Sequence, residues 1–309
     1  MTDIIYALAA APDFVASGLC FAAGNMGLLR SQDGGETWTD ALSALGLSES
    51  PPVAAVAFSP VFASDGIVIA GTAGGVLRSI DRGATWTFIP FGSPPPFVSA
   101  LAFSPDFERD GVIFAGTLED GVFVSRNRGA SWTAWNFGLL DLNVLALAIS
   151  PAFARDETIF AAVESGIFRS GNGGRAWREA PFDIDDAPVL SLAISPTFGE
   201  DGVLFAGTEA RGLFKSEDGG NSWRRLAAES IEDSVDALLL GPDFPARPEM
   251  LALVGGDVLI SHDGGESWRP RIPREVADSP ITAILSPTDL NDHSPLLIGV
   301  AGEGVKIIS

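Results

Sequence analysis

Ser261–Trp268 reads SHDGGESW. By itself this phrase fits a calcium loop, a phosphate cradle or a tight turn. Its copies decide between them. SQDGGETW starts at Ser31, SIDRGATW at Ser79, SRNRGASW at Ser125, SGNGGRAW at Ser170 and SEDGGNSW at Ser216. The six copies of S-x-[DN]-x-G-x-x-W follow one another at steps of 48, 46, 45, 46 and 45 residues. A fixed period of this length marks a repeat architecture.

A second marker runs in phase with the first. FSPVFASDG carries Pro60, FSPDFERDG Pro105, ISPAFARDE Pro151 and ISPTFGEDG Pro196, with weaker copies at Pro12, Pro242 and Pro287. Seven units result, spanning approximately 4–49, 50–96, 97–142, 143–187, 188–233, 234–278 and 279–309. Each reads as four short strands punctuated by Gly, Pro and Asp; in the third these are VSALAFS, GVIFAGT, GVFVS and SWTAW. Four strands per ~45 residues is the period of a propeller blade. The expectation is an all-β fold, a single seven-bladed β-propeller. The last unit stops after its third strand, GVKIIS, where Ser309 aligns with the first serine of the box. Blade seven is therefore expected to have three strands and to close the ring by packing its face on blade one. Its strand Gly304–Ile308 would be an edge open to strand addition by a partner.

Turn chemistry explains the box. A short Asp or Asn side chain accepts hydrogen bonds from backbone N–H groups one to three residues on, and the glycine at the fifth position takes a left-handed conformation. The tryptophan offers a large apolar body to bury. Asp33, Asp81, Asp218 and Asp263 hold the acidic position, and Asn127 and Asn172 replace them in two copies. An amide keeps the hydrogen bond but not a charge, so the box reads as structural. Trp38, Trp86, Trp132, Trp177, Trp223 and Trp268 close the six copies.

This motif resembles the Asp-box, or BNR repeat, of sialidases, sortilin-type receptors, xyloglucan-active glycosidases and photosystem II assembly factors, and the resemblance runs along essentially the whole chain. It implies the propeller fold and places the boxes on the face away from the functional site. It does not select an activity, because these families share blades and not chemistry. Sialidases use an arginine cluster and a tyrosine nucleophile, whereas this chain has one tyrosine, Tyr6. Xyloglucanases pair carboxylates between two propellers, and one is expected here. The photosystem factors carry a basic patch.

Composition narrows the partners. A net charge of −21 over 309 residues repels phosphate backbones and favours cationic partners. No apolar run reaches the ~18 residues of a membrane helix. MTDIIYALAAAPDF has no basic stretch ahead of its apolar residues, so a cytoplasmic location is expected; the expected oligomeric state is a monomer.

Other candidate chemistry resolves into structure. Cys20 shares its slot with Val68, Ile113, Ile159, Leu204, Leu251 and Leu297, which makes it a core residue. His262 and His293 have no second ligand at zinc spacing. Asp106, Glu108, Asp110 and Gly111 match the first half of an EF-hand loop, but its twelfth position is Thr117. No metal and no cofactor are expected.

Propeller topology puts the boxes and the loops between first and second strands on one face. Loops between second and third strands share the other face with the inter-blade connections. That second face varies most from unit to unit. It is expected to carry Glu119, Asp120, Glu164, Glu209, Arg211, Asp257 and Glu303, with Trp135, Phe137, Asp183, Asp185 and Asp186 from inter-blade loops, and Tyr6 and Asp236 at the start of innermost strands. Variation on rigid blades is where binding sites tend to sit. The expected function is non-catalytic recognition or scaffolding of a protein or glycan on this face. The alternative is a glycoside hydrolase with two carboxylates there.

Overall fold

The computed structural model of the chain describes residues 3–92, 95–182, 187–272 and 279–308. Seven antiparallel sheets follow one another along the sequence, six of four strands and a last of three. Blade one consists of Ile5–Ala10, Cys20–Gly24, Gly27–Ser31 and Thr39–Asp40. Blade seven consists of Ile281–Leu285, Leu296–Val300 and Gly304–Ile308. The second strands are almost wholly buried, Val68–Thr72 and Ile159–Val163 at every residue. Neighbouring blades cover both of their faces, so these strands read as continuous apolar runs. The outermost strands of blades one, three, four and six are two exposed residues each. An outer edge this short offers little to a stray strand.

Register corrects two alignments made from sequence. Cys20 pairs with Ser31 and Val68 with Ser79, but in blade six the residue opposite the box serine is Met250, and in blade seven Leu296 pairs with Ile308. Met250 and Leu296, not Leu251 and Leu297, therefore share the slot of Cys20. Ile308 occupies the place of a box serine, and Ser309 lies outside the described residues. Loops that differ by one residue cause the slip, and one residue moves a side chain to the opposite face of a strand. Cys20 is fully buried, and burial pushes its thiol up to about 11.

The buried anchor of each box is its serine. Ser31 Oγ accepts from the buried Gly35 N at 2.8 Å and donates to Asp33 Oδ1 at 2.7 Å. Asp33 Oδ1 accepts from Thr37 N at 2.9 Å, four residues on and at the surface, rather than one to three residues on. Asn127 and Asn172 make the same bonds, to Ser131 N and Ala176 N. Trp86 and Trp177 are buried, and the other four box tryptophans are half-buried. The EF-hand-like stretch is a single helical turn, Phe107–Asp110, and the Asp110 carboxylate caps Ser104 Oγ and Val112 N.

Blade-to-blade packing explains the box glycine. A Cβ on Gly83 would stand 2.3 Å from Phe21 in blade one, and one on Gly174 2.7 Å from Phe114 in blade three. Gly35 of blade one faces Leu297 of blade seven in the same way, at 2.5 Å. Gly302 N donates to Asp3 O at 2.7 Å. The ring thus closes by face packing, as expected. Among the described residues, Gly304–Ile308 pairs on one side only, with Leu296–Val300.

Candidate functional site

Gly34 N donates to Gly18 O and Arg82 N to Gly66 O, which ties each box to the first loop of its own blade. The turns between second and third strands bond instead to inter-blade segments, as Gly74 N does to Pro96 O and Gly255 N to Ser234 O. The two faces are therefore divided as the topology predicts.

Every innermost strand is bulged at its variable-face end. The register shifts between Ile5 and Ala7, Val53 and Ala55, Val144 and Ala146, Val189 and Ser191, Val235 and Ala237, and Ile281 and Ala283. Blade three shifts opposite Gly116 and Thr117, so that Ser99 is its extra residue. A bulge frees one residue from the ladder and re-aims its side chain. The seven extra residues are Tyr6, Ala54, Ser99, Leu145, Leu190, Asp236 and Thr282, of which only Asp236 is charged. Tyr6 is 46% exposed. Asp236 is exposed, although neighbouring protein replaces part of the water around its carboxyl. Lost solvation raises that carboxyl above the usual range, Asp233 and Glu209 add repulsion, and a hydrogen bond from Ser234 works against them.

Blades five and six form the most acidic part of this face. Glu229, Glu232, Asp233 and Asp257 line a groove of about 400 Å³, floored by Val254, Leu259 and Ile272. Glu209 holds its place through its N–H to Pro188 O at 2.9 Å, and Arg211 through its N–H to Thr208 Oγ1 at 3.0 Å. In blades three and four, Asn143 Oδ1 accepts from Glu119 N at 2.9 Å and Asn143 Nδ2 donates to Glu164 Oε2 at 3.3 Å. Asp141 accepts from Ser165 N, and Asp120 O accepts from Asn136. Glu119 holds a left-handed φ of 75°. Glu303 accepts from Lys306 Nζ at 2.6 Å, a bond that keeps its carboxyl below the usual range.

The expected residues thus form three groups: Glu209 with Asp236 and Asp257 around the acidic groove, Glu119, Asp120 and Glu164 stitched through asparagines, and Glu303 apart. Asp183, Asp185 and Asp186 lie outside the described residues. Trp135 is not on this face. Strand alternation turns its ring into the seam between blades three and four, beside Phe153 and Asp110. Phe137, 80% exposed, belongs to the same rim, where its carbonyl accepts from Trp177 N. Sequence reasoning missed Glu229, Glu232, Asp233 and Asn143. The run ESIEDSVD, Glu229–Asp236, was the available signal, because it concentrates acid in one inter-blade loop.

The charge of the two faces differs in kind. On the box face, cations and anions are paired between neighbouring units: Arg82 with Asp13 at 2.7 Å, Arg224 with Glu266 at 2.5 Å and Arg269 with Asp292 at 2.5 Å. Among the described residues, the cations reaching the variable face are Arg211, Arg225, which donates to Ile231 O, and Lys306.

The fold defines the chain as a seven-bladed β-propeller. No family model matches its sequence, and no curated protein does. Solved structures do. A GH74 xyloglucanase from Xanthomonas campestris is similar at a TM-score of 0.73 and 18% identity, covering 99% of this chain and 52% of that one. An extracellular domain from B. thetaiotaomicron reaches a TM-score of 0.73 at 15% identity, over 99% of this chain and 38% of the other. The chain therefore spans about half or less of these two proteins. A YCF48 protein bound to a D1 peptide gives a TM-score of 0.71 at 18% identity, covering 99% of this chain and 92% of that one. At these identities the likeness is one of fold.

Proposed function

We propose that the chain is an Asp-box propeller that acts by recognition, binding a basic segment of a partner protein on its variable face. The observation carrying this reading is the acid gathered on that face around Glu209, Asp233 and Asp236, whose carboxylates repel one another, whereas on the box face Arg82, Arg224 and Arg269 each meet an acid of the neighbouring unit. A concave field of one sign draws in the opposite charge and speeds its encounter. A neutral glycan gains nothing from such a field. The YCF48 structure bound to a peptide supports a propeller of this size as a peptide receptor. The test is selection from a peptide library against the immobilised protein at low and at physiological salt. Enrichment of Lys- and Arg-rich sequences that fades with salt is expected, whereas enrichment of neutral or acidic sequences refutes the reading.

A second reading has one observation in its favour. Asp236, with its raised carboxyl near Asp233 and Glu209, has the character of a general acid beside a second carboxylate. Release of reducing sugar from a polysaccharide panel, abolished in Asp236→Asn, would establish hydrolysis in place of peptide recognition.

A further inference from the structure

A repeat protein shows its specialised places as departures from its own repeat. Four of them converge on the seam between blades three and four, on the box side and away from the acidic face. First, the third residue after the box tryptophan is Ala41, Ile89, Ala180, Leu226 and Arg271 in the other five boxes but Trp135 here. Second, Trp38, Trp132 and Trp268 donate from Nε1 to the glycine of their own box, whereas Trp177 donates across the seam to Trp135 O at 2.8 Å. Third, the residue closing the helical turn is Gly18, Gly66, Gly111 and Gly202 in blades one, two, three and five, with φ between 60° and 64°, but Glu157 in blade four, held at φ 47°. A side chain in the left-handed region is strained, and such strain gathers at functional sites. Fourth, Glu157 is held in place by Arg175 at 2.6 Å.

Trp135, Glu157 and Arg175 line one cavity of about 210 Å³. Trp135 and Phe153 give it aromatic walls. Asp106, Arg126, Glu157 and Arg175 bring donors and acceptors to its rim. The volume is below the ~300 Å³ at which drug-sized pockets begin, so it suits a single ring. With Asp110 included, three carboxylates stand against two guanidinium groups, a net of −1 on a chain of −21. That near balance selects a neutral ligand whose edge both donates and accepts. A pyranose has this chemistry: a C–H face for the indole and hydroxyls for the carboxylates and guanidinium groups.

We infer that the seam between blades three and four is a binding subsite for one neutral pyranose unit of a glycan, with Trp135 as its stacking surface and Glu157 and Arg175 as its hydroxyl partners. The inference is independent of the variable face. It is tested by saturation-transfer NMR on the whole chain with glucose, galactose, mannose, xylose and N-acetylglucosamine, each as the methyl glycoside. At least one should receive saturation, and Trp135→Ala should lose it tenfold or more. Trp135→Phe is the milder variant should alanine fail to fold. Glu157→Gly separates binding from structure: it restores the glycine of the repeat, so its thermal midpoint should rise while binding falls. No transfer to any of the five sugars, or transfer unchanged in both Trp135→Phe and Glu157→Gly, overturns the inference. Displacement of the bound sugar by an acetylated phenylalanine amide of higher affinity would likewise overturn it, in favour of a peptide side-chain pocket.

Discussion

Ser31 Oγ accepts a hydrogen bond from Gly35 N at 2.8 Å, and both atoms are buried. The same bond joins Ser79 to Gly83, Ser125 to Gly129, Ser170 to Gly174, Ser216 to Gly220 and Ser261 to Gly265, at 2.8–2.9 Å. The glycine has no Cβ because the preceding blade occupies that space, and its N–H, sealed from water, has the serine hydroxyl as its partner.

Removing that hydroxyl leaves a buried donor unmet, which costs about 1–3 kcal/mol. Ser31→Ala and Ser216→Ala should each destabilise the fold by that amount in urea unfolding. Asp33→Asn should do much less, since Asn127 and Asn172 already make the same bonds in two boxes. A larger loss from Asp33→Asn than from Ser31→Ala would move the anchor from the serine to the carboxylate.

Acid should act through the boxes as well. Hydrogen bonds from Thr37 and Ser222 hold Asp33 and Asp218 at about 2. A carboxyl depressed by folding contributes stability above its unfolded value of about 3.9, and that contribution is lost as the pH falls through the folded value. The thermal midpoint should therefore drop between about pH 4 and pH 2. Joint replacement by Asn at positions 33 and 218 should flatten that drop, while leaving the blades that carry Asn127 and Asn172 as they are.

Asp236 has the opposite sign. Its carboxyl is raised in the folded chain, so its ionised form opposes folding at every pH above both its folded and unfolded values. Asp236→Asn should raise the thermal midpoint at pH 7 and weaken binding of a basic peptide. Such a trade of stability for function is common at binding sites. A variant that lost both stability and binding would make Asp236 a structural residue.

The periodic features were legible in the sequence: the box spacing predicted seven blades, and the three strands of blade seven followed from the alignment of GVKIIS. What the sequence hid was local. A bulge adds a residue without any residue type to mark it, so the kinship of Tyr6 and Asp236 to Leu145 and Thr282 emerges only from register. Trp135 lies off the expected face because the direction of a side chain one residue past a short strand, here Thr133–Ala134, depends on the pleat and not on the loop it begins. The aspartate of the box drew attention from the serine because charge is conspicuous in a sequence and burial is not.

The edge of blade seven offers an independent check. Val305 and Ile308 pack toward the core and Ile307 is 39% exposed. Hydrogen exchange along Gly304–Ile308 should alternate between slow amides bonded to Leu296–Val300 and fast ones facing outward. Uniformly slow exchange would mean that another strand covers this edge.

The most direct measurement is the affinity of one Lys- and Arg-rich peptide, by fluorescence anisotropy, for the wild type and two charge reversals across a salt series. Glu209→Lys with Asp233→Lys alters the variable face, and Glu36→Lys with Glu200→Lys alters the box face by the same charge. The variable-face pair should weaken binding by about tenfold or more and flatten its salt dependence, while the box-face pair leaves both near wild type. Equal losses from the two pairs, or binding indifferent to both and to salt, would contradict recognition by the acidic face.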